Sequence, residues 1–179
     1  MTISPVSTEQ LVAELADREA IRDCFARYAR GFDQGDEELV RSAFWPDAHH
    51  KGTVEGTPED LIAASVPLLQ SMDITLHQLG QSLIRIRGDQ AVAETYFSAF
   101  HRLTENGYSR YMLMGGRYAD RLEKRGGEWR LADRRVYFNW AHEETVDQEV
   151  VQKYGITTHR PMPDRAGELF ADLEQLPCQ

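Results

Sequence analysis

The chain has 179 residues, of which 20 are basic and 29 acidic, so its formal net charge is −9. This length predicts one domain with a substantial hydrophobic core. An acidic chain is a poor match for phosphate backbones and anionic membranes, because proteins bind both through basic patches. No apolar run approaches the length of a membrane-spanning helix, and the first residues lack a signal-peptide pattern. We therefore expect a cytoplasmic protein without nucleic-acid or membrane partners.

The first 70 residues carry three helix-start signals. Ser7 and Gln10 have the spacing of a capping box, Asp36 can cap a short second helix, and Thr57-Pro58 followed by two acids begins a third. An apolar stripe at mostly helical spacing follows the first signal and consists of Leu11, Leu15, Ile21, Phe25, Tyr28 and Phe32. This part of the chain is therefore expected to be helical.

The pattern changes to strands and tight turns from Ile74 onwards. Three turn dipeptides are Gly88-Asp89, Asn106-Gly107 and Gly126-Gly127. They separate four β-branched, aromatic or alternating runs, roughly 75–87, 91–104, 108–124 and 128–140. Short turns between such runs predict a meander of four long antiparallel strands. The chain is therefore expected to be α+β, with the N-terminal helices packed on one face of the sheet.

Two smaller features refine this sheet. A short strand near Ala48–Thr53 is expected to join an edge. Gly115-Gly116 lies inside a strand, where glycine marks a bulge or a close backbone approach more often than a phosphate-binding loop.

The C-terminal segment, residues 141–179, differs in composition from residues 1–140. It carries 8 acids and 3 bases together with three prolines. We interpret residues 1–140 as the α+β domain and residues 141–179 as an arm or short helix of the same domain. Such an arm would lie over the mouth of the sheet or a neighbouring subunit, and a mobile tail is an equal alternative. Cys24 and Cys178 lack zinc-site spacing and are interpreted as a buried thiol and a tail thiol.

Two histidines on the strands are candidates for acid–base chemistry. His77 lies at the start of the first long strand, where it fits either an ordinary core histidine or a general base. His101 is the polar member of an otherwise apolar strand face. A polar group there needs a partner, so pocket lining and core filling are both open for His101.

Asp33, at the end of the first helix, could act with His77. A carboxylate at a helix end is usually solvated, but one that points into the sheet could bind a histidine ring nitrogen and set its tautomer. The two positions are 44 residues apart, so spacing does not test this contact.

Two pairs of adjacent polar residues are weaker candidates. His49 and His50 point to opposite faces of a strand and cannot easily chelate one ion, so no metal is expected. Arg134 and Arg135 also point to opposite faces. An inward arginine could bind an anionic substrate or an oxyanion, but a surface pair is the favoured interpretation.

Several segments together resemble the SnoaL-like proteins of the nuclear-transport-factor-two-like, or scytalone dehydratase-like, superfamily. The resemblance covers about residues 8–140 and is closest to hexachlorocyclohexane dehydrochlorinase, scytalone dehydratase and bile-acid 7α-dehydratase. Its motifs are Tyr28-x-x-x-x-Asp33, Phe44-Trp45-x-Asp47-Ala48, Thr75-Leu76-His77, Leu113-Met114-Gly115-Gly116-x-Tyr118 and Arg121-Leu122-Glu123-Lys124-x-Gly126-Gly127-x-Trp129. No single motif is highly specific, but their order and spacing together are fairly specific.

This resemblance implies a cone-shaped α+β barrel that binds a hydrophobic ring compound and needs no cofactor. Asp33 and His77 occupy the positions of a His-Asp pair that removes a proton next to a leaving group. Tyr28 matches a tyrosine that polarises or protonates oxygen, and His101 matches a second polar position, which makes it an acid for a departing hydroxyl. Self-association as a trimer or dimer is also implied.

Three functions follow from these observations. The leading hypothesis is a cofactor-independent lyase, a dehydratase of a hydrophobic cyclic or polyketide-like molecule, with Asp33, His77, Tyr28 and His101 as its catalytic residues. An isomerase or polyketide cyclase would use the same pocket with oxyanion donors. A non-catalytic ligand-binding or assembly protein would have the same fold with incidental ionisable groups.

Overall fold

The computed structural model describes residues 7–153 and 165–175. In these residues the chain forms α1 (Thr8–Gln34), α2 (Glu37–Ser42), β1 (Phe44–Lys51), β2 (Glu55–Gly56), α3 (Pro58–Gln70), β3 (Ile74–Arg87), β4 (Gln90–Glu105), β5 (Tyr108–Arg125), β6 (Glu128–Asp147), α4 (Gln148–Lys153) and α5 (Arg165–Glu174). The three prolines and Cys178 of the predicted C-terminal arm lie outside the described residues.

The three predicted helix starts are confirmed by their capping bonds. Ser7 and Gln10 form a reciprocal capping box at α1, Asp36 accepts from a backbone N–H of α2, and Thr57 caps α3. The predicted apolar stripe is wrong over the first turns of α1, where Leu11 and Leu15 are 50% and 60% exposed. Burial in α1 begins only at Ile21.

Strands β3 to β6 form the predicted antiparallel meander, and the α+β fold class is confirmed. The six strands lie in the order β2-β1-β6-β5-β4-β3 in one curved sheet. β1 begins earlier than the predicted edge strand and pairs in parallel with β6. β6 also continues past residue 140 to Asp147, because its last residues pair with the first half of β5.

Glycine in β5 permits a close approach to β6. The pairing register shifts between Gly115 and Gly116. A Cβ atom on Gly116 would collide with the Tyr137 carbonyl oxygen, so another residue would not fit there unless the backbone moved. The interpretation of this pair as a bulge with close backbone approach is confirmed.

The hydrophobic core lies between the helices and the inner face of the sheet. It is built by α1, α3 and inward residues of the strands, among them Ile21, Phe25, Phe44, Ile62, Leu122 and Leu131. Cys24 is buried there, and burial raises its thiol pKa to about 11. Its Sγ lies 3.2 Å from the Ala43 carbonyl oxygen.

The short helix α5 contacts α1. The ring of Phe170 lies 5.4 Å from the guanidinium carbon of Arg30. Whether residues 141–179 cover the mouth of the sheet stays a prediction. None of the helices in the described ranges is both long and apolar enough to span a membrane.

Candidate active site

The curved sheet and helices α1 and α3 line a cavity of about 300 Å³. Most of its wall is apolar and includes Phe32, Leu61, Leu69, Met114, Val136 and Phe138. Its polar or ionisable lining residues include Tyr28, His50, Thr53, Ser65, His77 and His101. An apolar cavity with a few converging polar groups is the usual form of a small-molecule site.

Asp33 contacts His77, which lines this cavity. Asp33 lies in the last turn of α1, and its carboxylate accepts the His77 backbone N–H at 3.0 and 2.9 Å. Its Oδ1 lies 2.7 Å from His77 Nδ1, and both side chains are nearly buried. Because a carboxylate only accepts, this contact places a proton on Nδ1 and leaves Nε2 as the nitrogen available to a bound molecule.

His101 lies beside this pair on the neighbouring strand. Thr75 and His101 are register partners of β3 and β4, and Thr75 Oγ1 lies 2.8 Å from His101 Nδ1. The ring centroids of His77 and His101 are 5.5 Å apart, in an edge-on arrangement. Two imidazoles therefore line the same part of the cavity, each held at Nδ1 by a protein group.

Tyr28 lines the cavity from α1, five residues before Asp33. Its ring packs edge-on against Phe32, Phe44 and Tyr118. Burial raises the pKa of Tyr28, and the positive charge of Arg134 opposes that rise. The group is therefore a hydroxyl near neutral pH and can donate a hydrogen bond.

A buried ion pair beneath Tyr28 was missed by the sequence analysis. Arg134 is fully buried, so the favoured interpretation of a surface arginine pair is wrong for this residue, whereas Arg135 is exposed. Arg134 donates to the two oxygens of Asp120 at 2.8 and 2.7 Å. Its guanidinium carbon lies 4.2 Å from the ring centroids of both Tyr28 and Tyr118. The sequence signal for Asp120 is a charged residue at an inward-facing strand position, between a tyrosine and a leucine on the same face.

His49 and His50 lie on opposite faces of β1, as strand alternation predicts. His49 is exposed, whereas His50 is buried and lines the cavity. His50 Nδ1 lies 2.9 Å from the Val54 carbonyl oxygen and therefore carries a proton that it donates. Burial lowers the pKa of His50 to about 4. Among the described residues, no group of three or more His, Cys, Asp or Glu side chains is arranged to hold a metal ion.

A family model for the SnoaL-like domain matches residues 13–135. The chain belongs to the SnoaL-like family. The identification of the superfamily from sequence is thereby confirmed. No curated protein matches the chain.

Several solved structures share this fold. The hexachlorocyclohexane dehydrochlorinase LinA type 2 is 22% identical, covers 74% of this chain and 92% of its own, and has a TM-score of 0.66. A proposed scytalone dehydratase from Novosphingobium aromaticivorans is 17% identical, with coverages of 84% and 97% and a TM-score of 0.64. The β subunit of a proposed aromatic-ring-hydroxylating dioxygenase from the same organism is 26% identical, with coverages of 72% and 92% and a TM-score of 0.56.

Proposed function

We propose that this SnoaL-like protein is a cofactor-independent lyase, a dehydratase of a hydrophobic cyclic or polyketide-like molecule. The observation that carries the proposal is the 2.7 Å contact between Asp33 and His77, a histidine that lines an apolar cavity. A histidine whose Nδ1–H is held by a carboxylate presents Nε2 as a base and is stabilised when it becomes positively charged. The likeness to a dehydrochlorinase and a proposed dehydratase supports an elimination reaction.

In the proposed reaction, Nε2 of His77 takes a proton from a substrate carbon. The electrons of the broken C–H bond form a C=C bond, and the neighbouring C–O bond breaks. Hydroxide leaves with hydrogen bonds from Tyr28 and His101, and departs as water once it receives the proton that His77 took. Asp33 holds the ring and stabilises its positive charge between these steps.

Tyr28 and His101 are suited to assist the leaving group for different reasons. Tyr28 keeps its proton because burial raises its pKa. The Thr75 hydroxyl can donate to His101 Nδ1, which leaves the proton of a neutral ring on Nε2. Both groups then donate to an oxygen in the cavity.

Turnover of β-hydroxyketones on six-membered and fused rings tests the proposal. Mass spectrometry should find a product lighter by one water, and His77→Gln should slow its formation by at least about 100-fold. His49→Gln is the matched control, because His49 is an exposed histidine outside the cavity. Dehydration at an undiminished rate by His77→Gln would refute the assignment of the base.

The same experiment distinguishes the two other functions. A product of unchanged mass would indicate an isomerase or cyclase that uses the same base. Complete absence of turnover, together with a His77 ring whose NMR signals do not respond to bound ring compounds, would favour a non-catalytic role. The likeness to the β subunit of a proposed dioxygenase supports a role as a component of an assembly.

Self-association as a trimer or dimer stays a prediction. Large apolar side chains on the outer face of the sheet are about half exposed, namely Leu76, Leu83, Val92 and Tyr96. An exposed apolar sheet face of this kind is typical of a protein–protein contact. Sedimentation equilibrium should find an oligomer, and a monomer at high protein concentration would contradict the prediction.

A further inference from the structure

His50 is a buried polar group that the proposed reaction does not use. It lines the cavity from β1, near one edge of the sheet, whereas His77 lines it from β3 at the opposite edge. Because the sheet curves around the cavity, a molecule between these strands has one histidine on each side.

The hydrogen bonding of His50 sets its chemical character. Its Nδ1–H donates to the Val54 carbonyl oxygen at 2.9 Å, so Nε2 carries the lone pair. The ring is 2% exposed, and burial keeps its pKa at about 4. Within the described residues, Nε2 is buried without a hydrogen-bond partner. Burial of an acceptor without a hydrogen-bond partner costs free energy, and a ligand donor that reaches Nε2 removes that cost.

The cavity around His50 favours an uncharged ligand. None of the described residues that line it is an aspartate, glutamate, lysine or arginine. A carboxylate or phosphate on the ligand would lose its hydration there without meeting a charge of opposite sign in the lining. Aromatic side chains of the wall, including the stacked pair Phe97 and Tyr118, offer apolar surface to a ring.

We propose that His50 is a specificity-determining residue that accepts a hydrogen bond from a hydroxyl group on an uncharged ring compound. The donor lies on the side of the ligand remote from the atom that faces His77. Nε2 is buried in the structure, so the bond includes a local shift of the His50 ring towards the cavity when the ligand enters. The proposal rests on the proposed function only in taking this cavity as the substrate site.

A binding experiment with two matched probes tests this inference without turnover. 2-Naphthol and 2-methoxynaphthalene share a ring and an oxygen, but the second compound has no donor. We expect the wild-type protein to bind the naphthol about five- to tenfold more tightly, as one added hydrogen bond allows. His50→Phe should lose this preference while it still binds 2-methoxynaphthalene. His50→Gln, which keeps an acceptor, should retain part of it.

Nitrogen NMR of the histidine rings supplies a second readout. The His50 Nε2 resonance of the wild-type protein should move when 2-naphthol is added and stay in place with 2-methoxynaphthalene. Equal affinity for the two probes, undetectable binding of the naphthol, or an unchanged preference in His50→Phe would overturn the inference. Because no step depends on proton removal by His77, these outcomes are separate from failure of the proposed lyase.

Discussion

Replacing Asp33 by Asn tests the contact that joins the end of α1 to β3. The carboxylate accepts the His77 backbone N–H at 2.9 and 3.0 Å and Nδ1–H at 2.7 Å. An amide has one oxygen acceptor, so its NH₂ group must face an N–H group of His77. A hydrogen bond to a charged group is worth about 1.5–3 kcal/mol, and we expect the free energy of unfolding to fall by about that amount.

The same substitution should also disturb the proton on His77. If the amide NH₂ faces Nδ1, that nitrogen must accept, and the proton moves to Nε2. The ring then cannot take a proton from a substrate, so we expect turnover to fall by at least about 100-fold. Nitrogen NMR would report the exchanged tautomer directly.

Urea unfolding at pH 7, followed by tryptophan fluorescence, measures the stability change. Asp36→Asn is the matched control, since it removes one negative charge three residues further on and asparagine caps a helix about as well as aspartate. Unfolding free energies of the two variants within about 0.5 kcal/mol of each other would refute the reasoning, because the Asp33 bonds would then add nothing.

Three other substitutions probe the elements around the cavity. His50 has a pKa of about 4 in the fold and 6.5 ordinarily. The unfolded chain therefore binds a proton that the folded chain excludes, and stability falls by up to about 3 kcal/mol as the pH drops from 6.5 to 4. Urea unfolding across this range should show a shallower fall in His50→Gln, and the wild-type slope in His49→Gln. Asp120→Asn leaves a buried guanidinium without its counter-charge and should cost about 3–5 kcal/mol in the same assay, whereas a loss below about 1 kcal/mol would contradict a tight ion pair. Gly116→Ala forces a Cβ atom against a β6 carbonyl oxygen and should lower the melting temperature strongly, unlike Gly80→Ala, whose Cβ would have ordinary contacts. Equal melting temperatures would contradict this close approach.

The family and the meander were both predictable because they depend on local signals. Turn dipeptides such as Asn106-Gly107 adopt positive φ angles of 53° and 82°, which few other residue pairs accept. Capping residues mark helix starts through bonds to neighbours three residues away. These signals act within a few residues and are therefore readable from the sequence alone.

The pairing of Asp120 with Arg134 shows what local signals leave open. Counting back from the Gly126-Gly127 turn pairs Asp120 with Asp133. A bulge between Leu122 and Arg121 shifts the register by one residue and places Asp120 opposite Arg134. One residue of slip turns every following side chain to the other face, so the burial of Arg134 depends on a bulge that the sequence does not mark.

The helix starts, the turns, the strand meander and the family could be predicted from the sequence, which also indicated Asp33, Tyr28, His77 and His101 as candidates. The contact between Asp33 and His77 depends on tertiary packing, because the end of α1 must lie against β3 to bring together residues 44 positions apart. The same packing places His50, on a strand near the far edge of the sheet, in the lining of the same cavity. Sheet curvature and helix packing bring such distant residues together, and both arise from the sum of many contacts rather than from any short pattern.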